Sequence, residues 1–331
     1  MQDFYAGKQV VVAGGAGFIG SHLVELLINR GAAVTVPVRT TTNRENLRAV
    51  HDQIRFITAN LFDPDATRRA VAHAEILFDL TMSQRSGIIH SAQHHASMFR
   101  DTMVPFLNLL EAARESGVER TLVMSSACVY PREARVPTPE SEGFNGSPDP
   151  ANEGYGWAKR MEEYAATAYA QEYGMPIAIA RATNTYGPRD KFFNPEIQVI
   201  PSLIRRLVQG ENPFTVWGSG RQTRSFIYVQ DLVRALLDLC ERYAVADPVN
   251  LGSHEEVSIA DLARLLIELL SVKTRLVFDA SKPEGHARRF GDISKAESVI
   301  DFQPRVSLRD GLRQTISWYS AELIRRGEPR V

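Results

Sequence analysis

Apolar residues in the first half of the chain fall into short continuous runs, separated by stretches with a helical period. Residues 9–13, 33–38, 54–58, 76–80, 121–125 and 177–180 are mostly apolar runs, each short enough to be a buried strand. Between them, residues 21–30 set Leu23, Leu26 and Leu27 on one helical face and stop at Gly31, and residues 101–115 and 155–173 are also helical in pattern. Strand–helix alternation at this spacing predicts an α/β fold of Rossmann type, a doubly wound parallel sheet with helices on both faces.

Beyond Gly187-Pro188 the texture changes. Pro195, Pro201 and Pro213 punctuate short helices, residues 224–229 read as a strand, and 231–242 and 259–270 read as helices. The pattern predicts a Rossmann domain over 1–188 plus about 222–250, with a smaller interleaved C-terminal substrate lobe from 189–221 and 251–331. The proline-rich stretch 131–150 reads as a loop near the site.

Composition narrows the partners. With 331 residues, 44% hydrophobic and 23% charged, the chain has the make-up of a soluble enzyme with one large two-lobed unit or two domains. A net charge of −1 offers no general attraction to nucleic acid or to an anionic membrane, so any anion site must be local. No apolar run reaches the length of a membrane span, and the first residues do not form a secretion signal. Two cysteines, Cys128 and Cys240, make neither a disulfide framework nor a cysteine-rich metal site. These features predict a cytoplasmic location, no nucleic-acid or membrane partner, and no metal.

Two motifs carry chemistry. Gly14-Gly15-Ala16-Gly17-Phe18-Ile19-Gly20 follows the first strand and opens the first helix. In such a turn Gly14 permits the tight bend, Gly17 lets backbone N–H groups approach a pyrophosphate, and Gly20 allows close packing of helix on sheet. Phe18 and Ile19 belong to the same glycine segment, and Asn60 and Leu61 follow the third strand; all four are expected at the cofactor. The second strand ends Val38-Arg39-Thr40-Thr41-Thr42, with no acid to bind ribose hydroxyls. Arg39, assisted by Arg44, suits a 2′-phosphate, so NAD(P) is expected with NADP favoured over NAD.

The second motif is Tyr155-Gly156-Trp157-Ala158-Lys159. Residues four apart share a helical face, so the Lys159 ammonium is expected near the Tyr155 phenol, lowering its pKa toward operating pH. A tyrosine tuned in this way exchanges a proton with a sugar hydroxyl while hydride moves at its carbon. Ser126, just past the strand ending at Met124, lies at the carboxyl edge where substrates bind and could share that hydroxyl.

Together, Gly14, Gly17, Gly20, Ser126, Tyr155 and Lys159 resemble the extended short-chain dehydrogenase/reductase superfamily, NAD-dependent epimerase/dehydratase type. The resemblance implies that Tyr155 and Lys159 also touch the nicotinamide cofactor. It extends through Asn184-Thr185-Tyr186-Gly187-Pro188, whose asparagine would touch a sugar diphosphate, and through Thr223-Arg224-Ser225-Phe226, whose arginine would pair with it. It continues in Arg288-Arg289 and the residues around them. Arginine suits this task because its planar fork pairs with phosphate oxygens bidentately.

Ser126-Ala127-Cys128-Val129-Tyr130-Pro131 most resembles GDP-mannose 3,5-epimerase and then GDP-L-fucose synthase, families in which the matching cysteine is an acid/base beside a 4-keto group. That likeness favours a purine nucleotide, GDP first and ADP next, and disfavours dehydration, which needs an acid at that place. The families pair the cysteine with a lysine or histidine where this chain has Gln198 and Val199, substrate-lining positions that cannot exchange a proton at neutral pH. Lys191, or a histidine from His90, His94 and His95, could substitute. C4 epimerisation needs only Ser126, Tyr155 and Lys159 and is the first expectation. The second is 3,5-epimerisation or epimerisation–reduction using Cys128. A non-catalytic dinucleotide-sensing protein is the alternative of another class. The resemblance also implies a homodimer through a four-helix interface, with Phe106, Leu109, Leu110, Met161 and Tyr169 as its apolar positions.

Overall fold

The computed structural model describes residues 3–82, 93–194, 198–282 and 287–328. His90 and Pro195, singled out above, lie outside the described residues, as do residues 283–286 just before Arg288-Arg289. The chain opens β1 (Gln9–Ala13), α1 (Phe18–Asn29), β2 (Ala33–Val38), β3 (Ile54–Thr58), α2 (Pro64–Val71), β4 (Ile76–Asp79), α3 (His95–Glu115), β5 (Arg120–Ser126), α4 (Glu153–Tyr173) and β6 (Ile177–Ala182). It continues β7 (Asn184–Tyr186), α5 (Val199–Val208), β8 (Phe214–Trp217), β9 (Thr223–Tyr228), α6 (Val229–Arg242), β10 (Val249–Leu251), β11 (Glu256–Ser258) and α7 (Ile259–Leu270). The last elements are β12 (Leu276–Asp279), β13 (Arg288–Arg289), α8 (Ser294–Ile300) and α9 (Leu308–Arg326).

Seven strands form one sheet in the order β10-β6-β5-β4-β1-β2-β3, with every neighbouring pair parallel. The strands are buried runs because helices cover both faces. On one face Leu23 and Leu27 of α1 meet Leu232 and Leu236 of α6, and on the other Phe106, Leu109 and Leu110 of α3 pack with Ala158 and Ala166 of α4. The strand order reverses between β1 and β4, which opens a crevice at the carboxyl edge where the glycine turn, Asp79 and Ser126 all emerge.

This packing corrects the apolar set assigned above to a dimer interface. Phe106, Leu109 and Leu110 belong to the protomer's own core, and Met161 and Tyr169 pack against it. The helical period turns other side chains outward: Phe99, Leu107 and Tyr164 are exposed.

A smaller lobe rests on the sheet's edge. β9 pairs with β7 and β13 in parallel and with β11 antiparallel, and β8 pairs with β12. The stretch 222–250 therefore divides: β9 lies in the small lobe's sheet, whereas α6 packs on the large sheet and β10 extends it. Ser258 and Ser307 cap α7 and α9 by accepting from Asp261 N and Asp310 N, which fixes where those helices begin. Phe192 stacks on Tyr319 at 4.4 Å and ties α9 to the start of the lobe. The His22 Nε2–Pro188 O contact (2.9 Å) and the Glu25–Arg189 ion pair (2.6 Å) set the same segment against α1. Among the described residues no helix is long and apolar enough to cross a membrane.

Candidate active site

The glycine turn has the geometry that a pyrophosphate site needs. Gly14 has a φ of +81°, and a Cβ there would lie 2.7 Å from Leu80 O. A Cβ on Gly20 would lie 2.2 Å from Gly14 O, so only glycine lets α1 start this close to the turn. Gly17 caps α1 with no side-chain hydrogen bond, which leaves the first-turn N–H groups, including those of Ile19 and Gly20, to donate to an anion from outside the helix. Phe18 and Ile19 are half-buried in that turn. Across the crevice, Asn60 Oδ1 accepts from Phe62 N (3.3 Å), and Leu61 O accepts from Asn108 Nδ2 (2.9 Å). Arg39 follows β2, its backbone N–H donating to the Thr42 hydroxyl at 3.0 Å, and Arg44 lies over the Phe56 ring at 4.6 Å. The residues present fit a nicotinamide dinucleotide with its pyrophosphate on the glycine turn.

Ser126, Tyr155 and Lys159 converge at the carboxyl ends of β4 and β5. The Ser126 hydroxyl interacts with the Tyr155 phenol and also accepts from Cys128 N at 3.2 Å. The Lys159 ammonium lies 5.6 Å from the centre of the Tyr155 ring, over its face. The Tyr155 phenol is pushed up to about 12, chiefly by burial; Lys159 and Ser126 oppose the rise, while Cys128 and Glu162 contribute to it. The expected net lowering of this tyrosine is therefore corrected: the cation acts in the expected direction, but desolvation outweighs it.

Lys159 has further partners in the fold. Its Nζ donates to Met124 O (2.8 Å) and to the Glu162 carboxylate (2.9 and 3.2 Å), and Thr81 O lies at 3.5 Å. Burial works against its charge, but Glu162, Tyr155 and Asp79 together raise its pKa. Glu162 stands three residues on along the same helical face, a spacing that signals an ion pair. Asp79 is a charged residue at the end of an otherwise apolar run, a signal of a buried acid with a task. Behind them, Glu163 makes a bidentate pair with Arg181 of β6 (2.8 and 2.7 Å) and fixes α4 against the sheet.

Cys128, half-buried, follows Ser126 in a short turn, and Arg289 Nη2 reaches its Sγ at 3.6 Å and Ala127 O at 2.7 Å. Arg224 lies near Arg289; burial lowers its guanidinium to about 10, and the charge of Arg289 adds to that effect. Two guanidinium groups this close make a local concentration of positive charge. Asn184 lines the same cleft, its Nδ2 donating to Ser225 O at 3.0 Å. Arg288 also borders it but is held bidentately by Glu256 at 2.7 Å. Gln198 is exposed and caps α5, and Val199 packs into the small lobe's core. Of the substitutes considered for the missing acid, His95 accepts from Gly154 N at 3.3 Å, one residue before Tyr155. His94 precedes α3, and the Lys191 amide donates to Asp190 at 2.7 Å.

Fold and site together define an enzyme of the extended short-chain dehydrogenase/reductase type that acts on nucleotide sugars through NAD(P). Residues 10–252 match the NAD dependent epimerase/dehydratase family, and the chain belongs to that family. It is 34% identical to a dTDP-4-dehydro-6-deoxy-D-allose reductase of Streptomyces bikiniensis over 324 residues, covering 96% of this chain and 98% of that protein. It is 32% identical to GDP-L-fucose synthase 1 of Arabidopsis thaliana over 323 residues, covering 96% and 95%. Among solved structures, UDP-glucose 4-epimerase of Thermotoga maritima superposes with a TM-score of 0.85 at 29% identity, covering 95% of this chain and 99% of that one.

Proposed function

We propose that this enzyme reduces the 4-keto group of a nucleotide-linked sugar, with NADPH as the hydride source. The observation that supports this reading is an imbalance in the site. The groups that accompany hydride transfer are assembled at Ser126, Tyr155 and Lys159, whereas the second acid needed to invert C3 or C5 is absent at Gln198 and Val199. Relatives named as a reductase of a 4-dehydro sugar and as a fucose synthase cover nearly the whole chain.

In this reading Arg224 and Arg289 take the diphosphate, and Asn184 orients the sugar beside it. Ser126 holds the 4-keto oxygen, and the Tyr155 phenol gives that oxygen its proton as the carbon is reduced. A tyrosine that keeps its proton at neutral pH is suited to donate one. NADPH supplies the hydride when bound on the glycine turn, with Arg39 at its 2′-phosphate.

C4 epimerisation without net redox is the second reading, favoured by the close superposition on a 4-epimerase and by its need for the same three residues. The test is a panel of dTDP- and GDP-linked sugars in heavy water, resolved by NMR, with 4-keto-6-deoxy sugars given NADPH and 4-hydroxy sugars given the oxidised dinucleotide. Keto-reduction predicts stoichiometric NADPH consumption, no deuterium on C3 or C5, and most activity retained in Cys128→Ala. Interconversion of 4-hydroxy sugars with no net reduction of the dinucleotide would favour the epimerase. Deuterium at C3 or C5 together with an inactive Cys128→Ala would favour the epimerase–reductase.

A further inference from the structure

Lys159 faces two buried carboxylates. Glu162 on α4 touches its ammonium at 2.9 Å, and the two side chains are 1% and 3% exposed. Asp79, at the end of β4, lies within the field of the same ammonium and accepts from Thr81 N and Oγ1 at 2.8 and 2.6 Å. The other ionisable groups around the cluster are accounted for. Cys128 faces the phenol from the turn after β5, Glu163 is turned to Arg181 of β6, and His95 of α3 is engaged by Gly154 N.

A carboxylate in contact with an ammonium turns a point charge into a dipole, whose field at a neighbouring group is weaker than that of the ammonium alone. We propose that Glu162 and Asp79 are positioning residues that act through Lys159 on Tyr155, countering the ammonium and so extending upward the pH range over which Tyr155 remains a proton donor. The inference rests on the reading of Tyr155 as the acid of keto-reduction and adds what sets its acidity.

The pH ranges are consistent with this. Burial pushes Glu162 up to about 8, with the Lys159 ammonium opposing and Asp79 adding to the rise. Tyr155 titrates higher, so Glu162 is anionic throughout the range in which the phenol loses its proton, and its charge raises the phenol further. Removing that charge leaves the Lys159 ammonium less compensated and stabilises phenolate.

The test measures Tyr155 directly and through turnover. Subtracting the ultraviolet titration of Tyr155→Phe from that of the intact enzyme isolates the Tyr155 tyrosinate signal, with no substrate needed. In Glu162→Gln that signal should appear about one pH unit lower or more. The basic limb of kcat for keto-reduction should move down by the same amount. Asp79→Asn, on a different element, should move both in the same direction, and it keeps the inference testable if Glu162→Gln does not fold. A merely structural role would scale the whole pH profile without moving its limb. An unmoved tyrosinate signal in both variants would overturn the inference whether or not the substrate is a keto sugar. A wild-type enzyme that reduces no keto sugar would instead defeat the proposed function, while the tyrosinate shift could still be measured.

Discussion

Arg39 stands where β2 meets the crevice, at the position where a ribose-binding acid would select NAD. Its own N–H is spent on the Thr42 hydroxyl, which bends the following residues back, and Arg44 is anchored on Phe56. A charge-assisted hydrogen bond contributes about 1.5–3 kcal/mol, so Arg39→Asp should weaken NADPH binding by about 10- to 100-fold and improve NADH binding. Fluorescence titration of both dinucleotides measures this, and an unchanged ratio would remove Arg39 from the phosphate site. At this scale the sequence was readable wherever chemistry depends on local spacing. The glycine turn and the Tyr155–Lys159 step lie within single elements, so position alone placed them. Asp79 acquires meaning only through tertiary folding, which brings it to Lys159; Arg289 was marked by the family resemblance, but only folding brings it to Cys128 across 161 residues. Glu162 had a local signal, its spacing of three from Lys159, but in a helix rich in glutamate that signal looks like ordinary surface charge.

At the scale of elements, the apolar runs marked β1 to β6 because a strand buried on both faces needs no alternation to be recognised. The strands of the small lobe, two to six residues long, were mostly missed because their stability comes from partners distant in sequence. α3 begins at His95 rather than at Asp101; Pro105, inside it, weakens the helical signal of the turn before it. The turn between β7 and α5 holds a further buried acid. Asp190 Oδ1 accepts from Lys191 N at 2.7 Å, while its Oδ2 has no hydrogen-bond partner among the described residues. Burial raises this carboxyl from 3.8 to about 7. The folded chain therefore keeps a proton that the unfolded chain has lost across that window, and stability falls as pH rises through it. Asp190→Asn should melt a few degrees above the wild type at pH 8, with the difference fading toward pH 4. Thermal melts across this range check it, and a difference independent of pH would count against a buried, protonated Asp190.

At the scale of the whole molecule, α3 and α4 pack together on one face of the large sheet, with their inner sides committed to its core. Their outer sides carry Phe99, Leu107 and Tyr164, exposed to 38%, 41% and 66%. Phe99 and Leu107 are eight residues apart and fall within one helical stripe, beside the ion pairs Arg100–Asp101 and Glu111–Arg114. Apolar positions with charged neighbours on two parallel-packed helices suit an isologous contact, in which the same helix pair of a second copy completes a four-helix layer. A stable contact of this kind buries about 800 Å² per partner, within the reach of two six-turn helices. The proposed dimer therefore depends on Phe99, Leu107 and Tyr164, not on Phe106, Leu109 and Leu110, which the protomer needs for itself. Light scattering at micromolar concentration should give the mass of two chains for the wild type. Leu107→Glu combined with Tyr164→Glu should give one chain with little change in melting temperature, because both positions are exposed in the protomer. Phe106→Glu should instead destabilise the protomer, since it places a charge in a core with no partner for it. A wild type that scatters as a single chain would remove the dimer. A double variant that stays dimeric would move the interface to another face.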